Sequence, residues 1–471
     1  VIGGRPLSVA DRKAAGKAAR AQVPLEGHAQ FTPDPSRDAV GLLLGQAAGR
    51  VPDLVPIRHG RMLVSPFTFY RGAALVMAAD LDTTPAAGLR TQLCGDAHLS
   101  NFGAYASPER RLVFDINDFD ETFPGPFEWD VKRLAASIVV AGRENGFSAK
   151  QSRAATVAAV QSYRTAMREY AARPILDVWY AHVDVEEALA EYRALLDARE
   201  AKRRQALFRA TDAALAKART RDSLQAMRKL TAVVEGRRRI VSDPPLVVPL
   251  AELTGFDSDE LLGRLQTLVA DYRATLQPDR RQLLDQFRLT DVAHKVVGVG
   301  SVGTRAWVLL FEGSQEKEAL VLQAKQAAPS ALAGFLGGSG DGHEGERVVA
   351  GQRLMQATSD IFLGWLRSQP TGGEPVDYYV RQLRDWKVSA EIEAMYPLAI
   401  TAYGRLCGAT LARAHARAGD RIAIAAYLGK SDIFENAVAD FAESYADQTG
   451  RDHAALVQAV AGGRVEARSG V

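Results

Sequence analysis

In the run CGDAHLSNFG, residues 94–103, Asp96 and Asn101 stand on either side of a four-residue spacer. A carboxylate and an amide held that way in a turn can divide the work of a group transfer. The carboxylate accepts a hydroxyl proton and aims the attacking oxygen, while the amide oxygen helps to hold a metal ion. Further on, the apolar run LVF ends in Asp115, and the turn behind it adds Asp118, Asp120 and Glu121. An aspartate at a strand end suits a phosphate-bridging Mg²⁺, which prefers carboxylate and phosphate oxygens and keeps several waters. Asp115 directly follows the apolar strand and is the expected ligand, with Asp118 as a second one. His98, in the same loop, reads as a histidine bonding the backbone at a tight turn, with a catalytic or metal-ligand role as the alternative. Clustered carboxylates could equally hold two metals for hydrolysis, and Asp and Asn are also ordinary turn and cap residues.

A second group lies far along the chain. Gly298, Gly300 and Gly303 form GxGxxG, with Ser301 at the tip. That spacing alone serves simple turns and dinucleotide-binding loops too, but here a β-branched and aromatic strand, Ala306 to Phe311, follows it instead of a helix. Strand, glycine turn and strand make a lid under which backbone N–H groups can approach phosphate oxygens. Such a lid calls for a lysine on the next strand, and Lys325 ends the run VLQAK, where alternation puts Val321, Gln323 and Lys325 on one face. A carboxylate from the following helix should orient that lysine, and Glu346, with Glu344 in reserve, opens the next helical stretch.

These groups need a scaffold, and the chain is long enough for one. It has 471 residues, 47% hydrophobic and 24% charged, the profile of a folded globular protein. A net charge of +2 argues for no nucleic-acid partner, and the basic runs between Arg199 and Arg239 read as a solvated helix face. Cys94 and Cys407 are too few for a disulfide framework or a cysteine zinc site. No apolar stretch approaches the roughly twenty residues of a membrane span, and the first residues lack the apolar core of a signal peptide; a cytoplasmic location is expected, although the chain does not begin with Met. The first fifty residues read as a surface arm, Ala135 to Val247 as mostly helical, 287–325 as Val- and Leu-rich strands, Arg347 to Gln356 as a helix, Tyr378 to Leu383 as a strand, and Tyr403 to Ala418 as a helix.

From about Arg58 to Gln448 the chain resembles the bacterial domain-of-unknown-function family 2252, through the phrases FYRG, CGDAHLSNFG, FDINDFDE, WDVKRLAAS, GVGSVGTR, LQAK, RVVAGQR and YADQ. A weaker resemblance is to aminoglycoside and choline kinases, which carry GD-x-H-x-x-N followed by an aspartate after a strand; Asp130 in WDVKRLA matches a further acid of theirs. The resemblance implies Asp96 as catalytic base, Asn101 and Asp115 as metal ligands, Gly298 to Gly303 as phosphate lid and Lys325 as phosphate-binding lysine. It also leaves Asp118-Phe119 as a rival for the metal aspartate. In kinases the lid precedes the catalytic loop, whereas here it follows. A circular permutation accounts for this if YGRLCGATLARAH, Tyr403 to His415, is the helix that normally runs into the catalytic loop.

The expected architecture is therefore α+β, a two-lobed protein-kinase-like fold in circularly permuted order with a large helical lobe. Residues 1–57 form an arm, 58–275 the catalytic loop and helical part, 276–388 the nucleotide-binding lobe, and 389–471 the closing helices. The expected activity is ATP- and Mg²⁺-dependent phosphoryl transfer to a hydroxyl or amine of an unidentified small-molecule or protein acceptor. The alternatives are AMP transfer on the same scaffold, nucleotide binding without turnover, and metal-dependent hydrolysis.

Overall fold

Alternation along three successive strands decides which side chains the central sheet turns toward the acidic loops. A computed structural model describes residues 7–194, 223–235, 237–254, 258–296, 302–315, 318–338, 342–369, 374–383 and 386–470, with isolated positions between 205 and 219. In it Arg288–Lys295, Ala306–Glu312 and Ala319–Ala327 form an antiparallel meander. Val376–Gln382 pairs with the outer side of the third strand and Gly364–Ser368 with Val376–Gln382, while Val247–Pro249 closes the other edge, giving six strands in all. One face buries Phe311, Leu320, Leu322, Ala324, Tyr378 and Val380 against Tyr272 and Leu284, from the helices Ser258–Ala274 and Pro278–Leu284, and Leu276 in the turn between them. The opposite face carries Val308, Leu310 and Val321, covered by Ala226, Met227 and Ile240. Because side chains alternate across a strand, this second face also takes Lys325 and, directly opposite it on the neighbouring strand, Tyr379.

Helix Glu344–Met355 connects the lysine strand to Gly364–Ser368 and packs on the sheet. The remaining helices gather round a separate and larger core. Phe127–Glu144, Ala149–Ala172, Pro397–Ala418 and Ile433–Ala461 supply most of it, with Phe127, Val131, Leu134, Ile138, Tyr163, Leu411, Phe434 and Phe441 essentially sealed from solvent. Helices Val9–Gln22 and Arg421–Leu428 pack together, so the N-terminal arm lies on elements from the far end of the chain. The fold is thus mixed α+β with several sheets. Among the described residues no helix is long and apolar enough to cross a membrane.

Two short antiparallel pairs set the loops. Arg90–Leu93 pairs with Phe123–Pro126 so that Leu93 faces Phe123, and Phe102–Ala106 pairs with Leu112–Ile116 so that Phe102 faces Ile116. The loops 94–101 and 117–122 therefore leave neighbouring strand ends together. They are tied by the Asn117 N–H donating to the Asn101 carbonyl at 2.8 Å and the Thr122 hydroxyl donating to the Leu93 carbonyl at 2.6 Å. Val388–Ser389, beyond the large sheet, adds to the edge of Phe102–Ala106 at Ala104 and Gly103.

Candidate functional site

The loop that carries Asp96 is shaped from beneath by the first turns of helix Phe127–Glu144. Asp130 accepts hydrogen bonds from the Cys94 and Gly95 N–H groups at 2.8 and 3.1 Å, which fixes the backbone leading into Asp96. Gly95 itself has φ +83°, and a Cβ there would stand 2.1 Å from the Glu121 carbonyl, so glycine is required where the two loops touch. One turn further along the helix, Arg133 holds Asp96 Oδ1 through Nε at 2.8 Å and Nη2 at 2.6 Å. Arg133 also donates to the Tyr70 carbonyl and lies over its ring. Burial pushes the Asp96 carboxyl up to about 6, with the nearby Arg133 guanidinium opposing the shift.

His98 is buried, its Nε2 3.6 Å from Asp96 Oδ2, and its backbone N–H donates to the Asp96 carbonyl. Burial, with Arg133 and Arg71 close by, holds its pKa well below the ordinary value, so it faces Asp96 as a neutral ring. Asn101 donates through Nδ2 to the Asp96 carbonyl at 2.8 Å, which leaves its Oδ1 without a hydrogen bond among the described residues.

The two aspartates weighed as metal ligands separate cleanly. Asp115 is fully buried. It pairs with Arg413 at 2.5 Å and accepts from the Ala357 N–H at 2.8 Å and its own neighbour Ile116 at 2.9 Å. From its strand the side chain turns into the body, where both oxygens are already engaged by protein groups. Asp118, beyond the strand, is only partly buried. One of its oxygens accepts from the Asp120 N–H at 3.1 Å and the other from no described group. Its charge is felt by Asp96, Lys325 and Tyr379.

Lys325 reaches across to the same loop. Its Nζ pairs with Asp120, whose other oxygen accepts the Tyr379 hydroxyl at 2.8 Å. Burial alone would lower the lysine, but the Asp120 charge outweighs it and holds the ammonium protonated; the same pair keeps Asp120 ionised against its burial. The residue expected to orient Lys325 does otherwise. Glu346 is exposed on the first turn of its helix, where its N–H bonds His343, and Glu344 pairs with Arg347. Helix Glu344–Met355 contributes through Arg347, which donates to the carbonyls of Thr122 at 2.6 Å, Asp120 at 2.9 Å and Ala328 at 2.8 Å.

Of the glycine turn, Gly298, Gly300 and Ser301 lie outside the described residues. Gly303 has φ +90°, and its carbonyl accepts the Val51 N–H at 2.7 Å. Sequence reasoning missed Arg133, Tyr379 and Arg347 as parts of the site. For Arg133 a signal existed, since it follows Asp130 by one helical turn and so shares its face; for the other two the pairing depends on strand and helix packing. Asp120 was seen only as one acid of a cluster.

The comparisons agree with the motifs. The chain belongs to the family described as "Uncharacterized protein conserved in bacteria (DUF2252)", which matches residues 50–459. No curated protein and no solved structure is significantly similar to it.

Proposed function

We propose that this protein is an ATP- and Mg²⁺-dependent phosphotransferase with a kinase-like cleft assembled in circularly permuted order, acting on a hydroxyl or amine acceptor. One observation carries the reading. Lys325, on the strand after a glycine turn, meets the Asp118–Asp120 loop, beside the Asp96 and Asn101 loop, from 205 positions away along the chain. A lysine on the strand after a glycine turn, a carboxylate able to accept a proton and an aspartate just beyond a strand are what positioning and charge neutralisation in phosphoryl transfer require.

The permutation has its own support. Helix Pro397–Ala418 ends with Gly419 packed against Thr91, and the Thr91 hydroxyl donates to the His415 carbonyl at 3.4 Å. The helix thus stops at the strand that leads into the Asp96 loop, where an unpermuted chain would simply continue.

The residues present fit Mg²⁺ and not a metal cage. Among the described residues no group of three His, Cys, Asp or Glu side chains could hold an ion, but Mg²⁺ bound with a nucleotide needs only one or two protein oxygens. Asp118 and the unengaged Oδ1 of Asn101 would hold it, and the ion would neutralise phosphate charge. Asp96 Oδ2, with Oδ1 tied to Arg133, is left to accept the acceptor's proton, and Lys325 would steady the transferring phosphates.

Thermal shift with ATP, with and without Mg²⁺, tests this on the wild type, Lys325→Ala and Asp118→Ala. Mg²⁺-dependent stabilisation lost in both variants is expected; a wild type indifferent to ATP would overturn the reading.

A further inference from the structure

Three arginines from the N-terminal part of the chain border this site without belonging to it. Arg58, on helix Val55–Met62, is 1% exposed. Its guanidinium meets only neutral groups, donating from Nη2 to Gln46 Oε1 at 2.9 Å and to the Gly72 carbonyl at 2.7 Å. Its Nε and Nη1 are buried with no partner. Arg71 adjoins Gly72; its Nε is likewise buried without a partner, and among the described residues it makes no ion pair or hydrogen bond. It lies close enough to His98 for its charge to be felt there. Arg50 completes the group. It donates to the Val302 carbonyl at 2.5 Å while its neighbour Val51 holds Gly303, so Arg50 lies against Val302 and Gly303. Arg50 and Arg58 feel one another and Glu121, and Arg50 feels Asp120.

A buried cation without a counter-charge is unstable unless a ligand supplies one. Here Glu121 exerts attraction but is not in ion-pair contact with Arg58; its Oε2 accepts the Ala331 N–H at 2.5 Å. Orphaned buried N–H groups in a native protein call for an explanation, and a guanidinium fork matches the oxygens of a phosphate.

We infer that Arg50, Arg58 and Arg71 form an anion site on the N-terminal side of the cleft, beside Val302 and Gly303, that takes a phosphate group. The inference rests on the phosphotransferase reading for its purpose, since that phosphate belongs either to the nucleotide or to the acceptor.

The test is calorimetric titration of the full chain with inorganic phosphate and tripolyphosphate. The wild type should bind both, and Arg50→Gln and Arg71→Gln should each weaken binding about tenfold, one hydrogen-bonded charge's worth. Arg58→Met should abolish phosphate binding while leaving the ligand-free melting temperature equal or higher, because it removes an unpaired buried charge. Phosphate binding lost at saturating ATP and Mg²⁺ assigns the site to the nucleotide; binding retained assigns it to the acceptor. ATP binding in the wild type with phosphate and tripolyphosphate binding unchanged in all three variants overturns the anion site alone. Phosphate binding that depends on the arginines, in a protein that ignores ATP, upholds the site and overturns the phosphotransferase reading.

Discussion

His415 Nε2 and Asp130 Oδ2 meet at 3.2 Å across 285 positions of sequence. The contact joins helix Pro397–Ala418 to the helix that holds the Asp96 loop, and it is sealed from solvent, with Tyr163 on the other ring nitrogen at 2.9 Å. Asp130 therefore serves two loop amides and one imidazole at once.

Removing that carboxylate leaves three buried donors unpaired. Asp130→Ala should lower the unfolding free energy by about 3–5 kcal/mol, and His415→Gln by about 1–3 kcal/mol. Guanidinium denaturation midpoints at constant m-value measure both. A midpoint unmoved by Asp130→Ala would remove the joint from the account.

Lys325 and its supports should separate by magnitude. Lys325→Met is expected to cut ATP turnover about a hundredfold. Tyr379→Phe removes one hydrogen bond to Asp120 and should cost about three- to tenfold, equivalent to about 0.5–1.5 kcal/mol. Glu346→Gln, on an exposed helix turn, should leave turnover unchanged. A loss in Glu346→Gln as large as that in Lys325→Met would restore the helix glutamate as the lysine's partner.

Asp96 predicts a pH profile. A base must be ionised to accept a proton, and burial raises this carboxyl to about 6. Turnover per ATP should therefore rise with pH and reach half its plateau near pH 6. Asp96→Asn should lower the plateau by about 10²- to 10⁴-fold. A half-point near pH 4 would mean that another group sets the limb.

Asp118 and Asp115 should fail in different ways. Asp118→Asn is expected to abolish Mg²⁺-dependent stabilisation by ATP with the ligand-free midpoint nearly unchanged. Asp115→Ala leaves Arg413 buried and uncompensated and should cost about 3–5 kcal/mol of stability. Mg²⁺ titration and denaturation of both variants check this, and the reverse pattern would return Asp115 to the metal.

Local chemistry was readable wherever a residue acts through its own segment. The Asp96 and Asn101 spacing and the period-two pattern that puts Lys325 on one face with Val321 and Gln323 follow from turn spacing and strand alternation. These are properties of a few consecutive residues, and the mixed α+β elements that carry them were legible in the same way.

What the sequence could not settle were choices between partners of like chemistry. Asp115 and Asp118 differ by three positions, and only the packing of Arg413 and the Ala357 N–H against the first turns it inward. Glu346 and Asp120 are both carboxylates that could meet Lys325, and the placement of a helix against a sheet selects Asp120. A charge pair is set by distance in space, which depends on how every intervening element packs. The amino-acid order determined which groups were on hand; the tertiary structure alone decided which of them meet, because burial and ion pairing are properties of the assembled core.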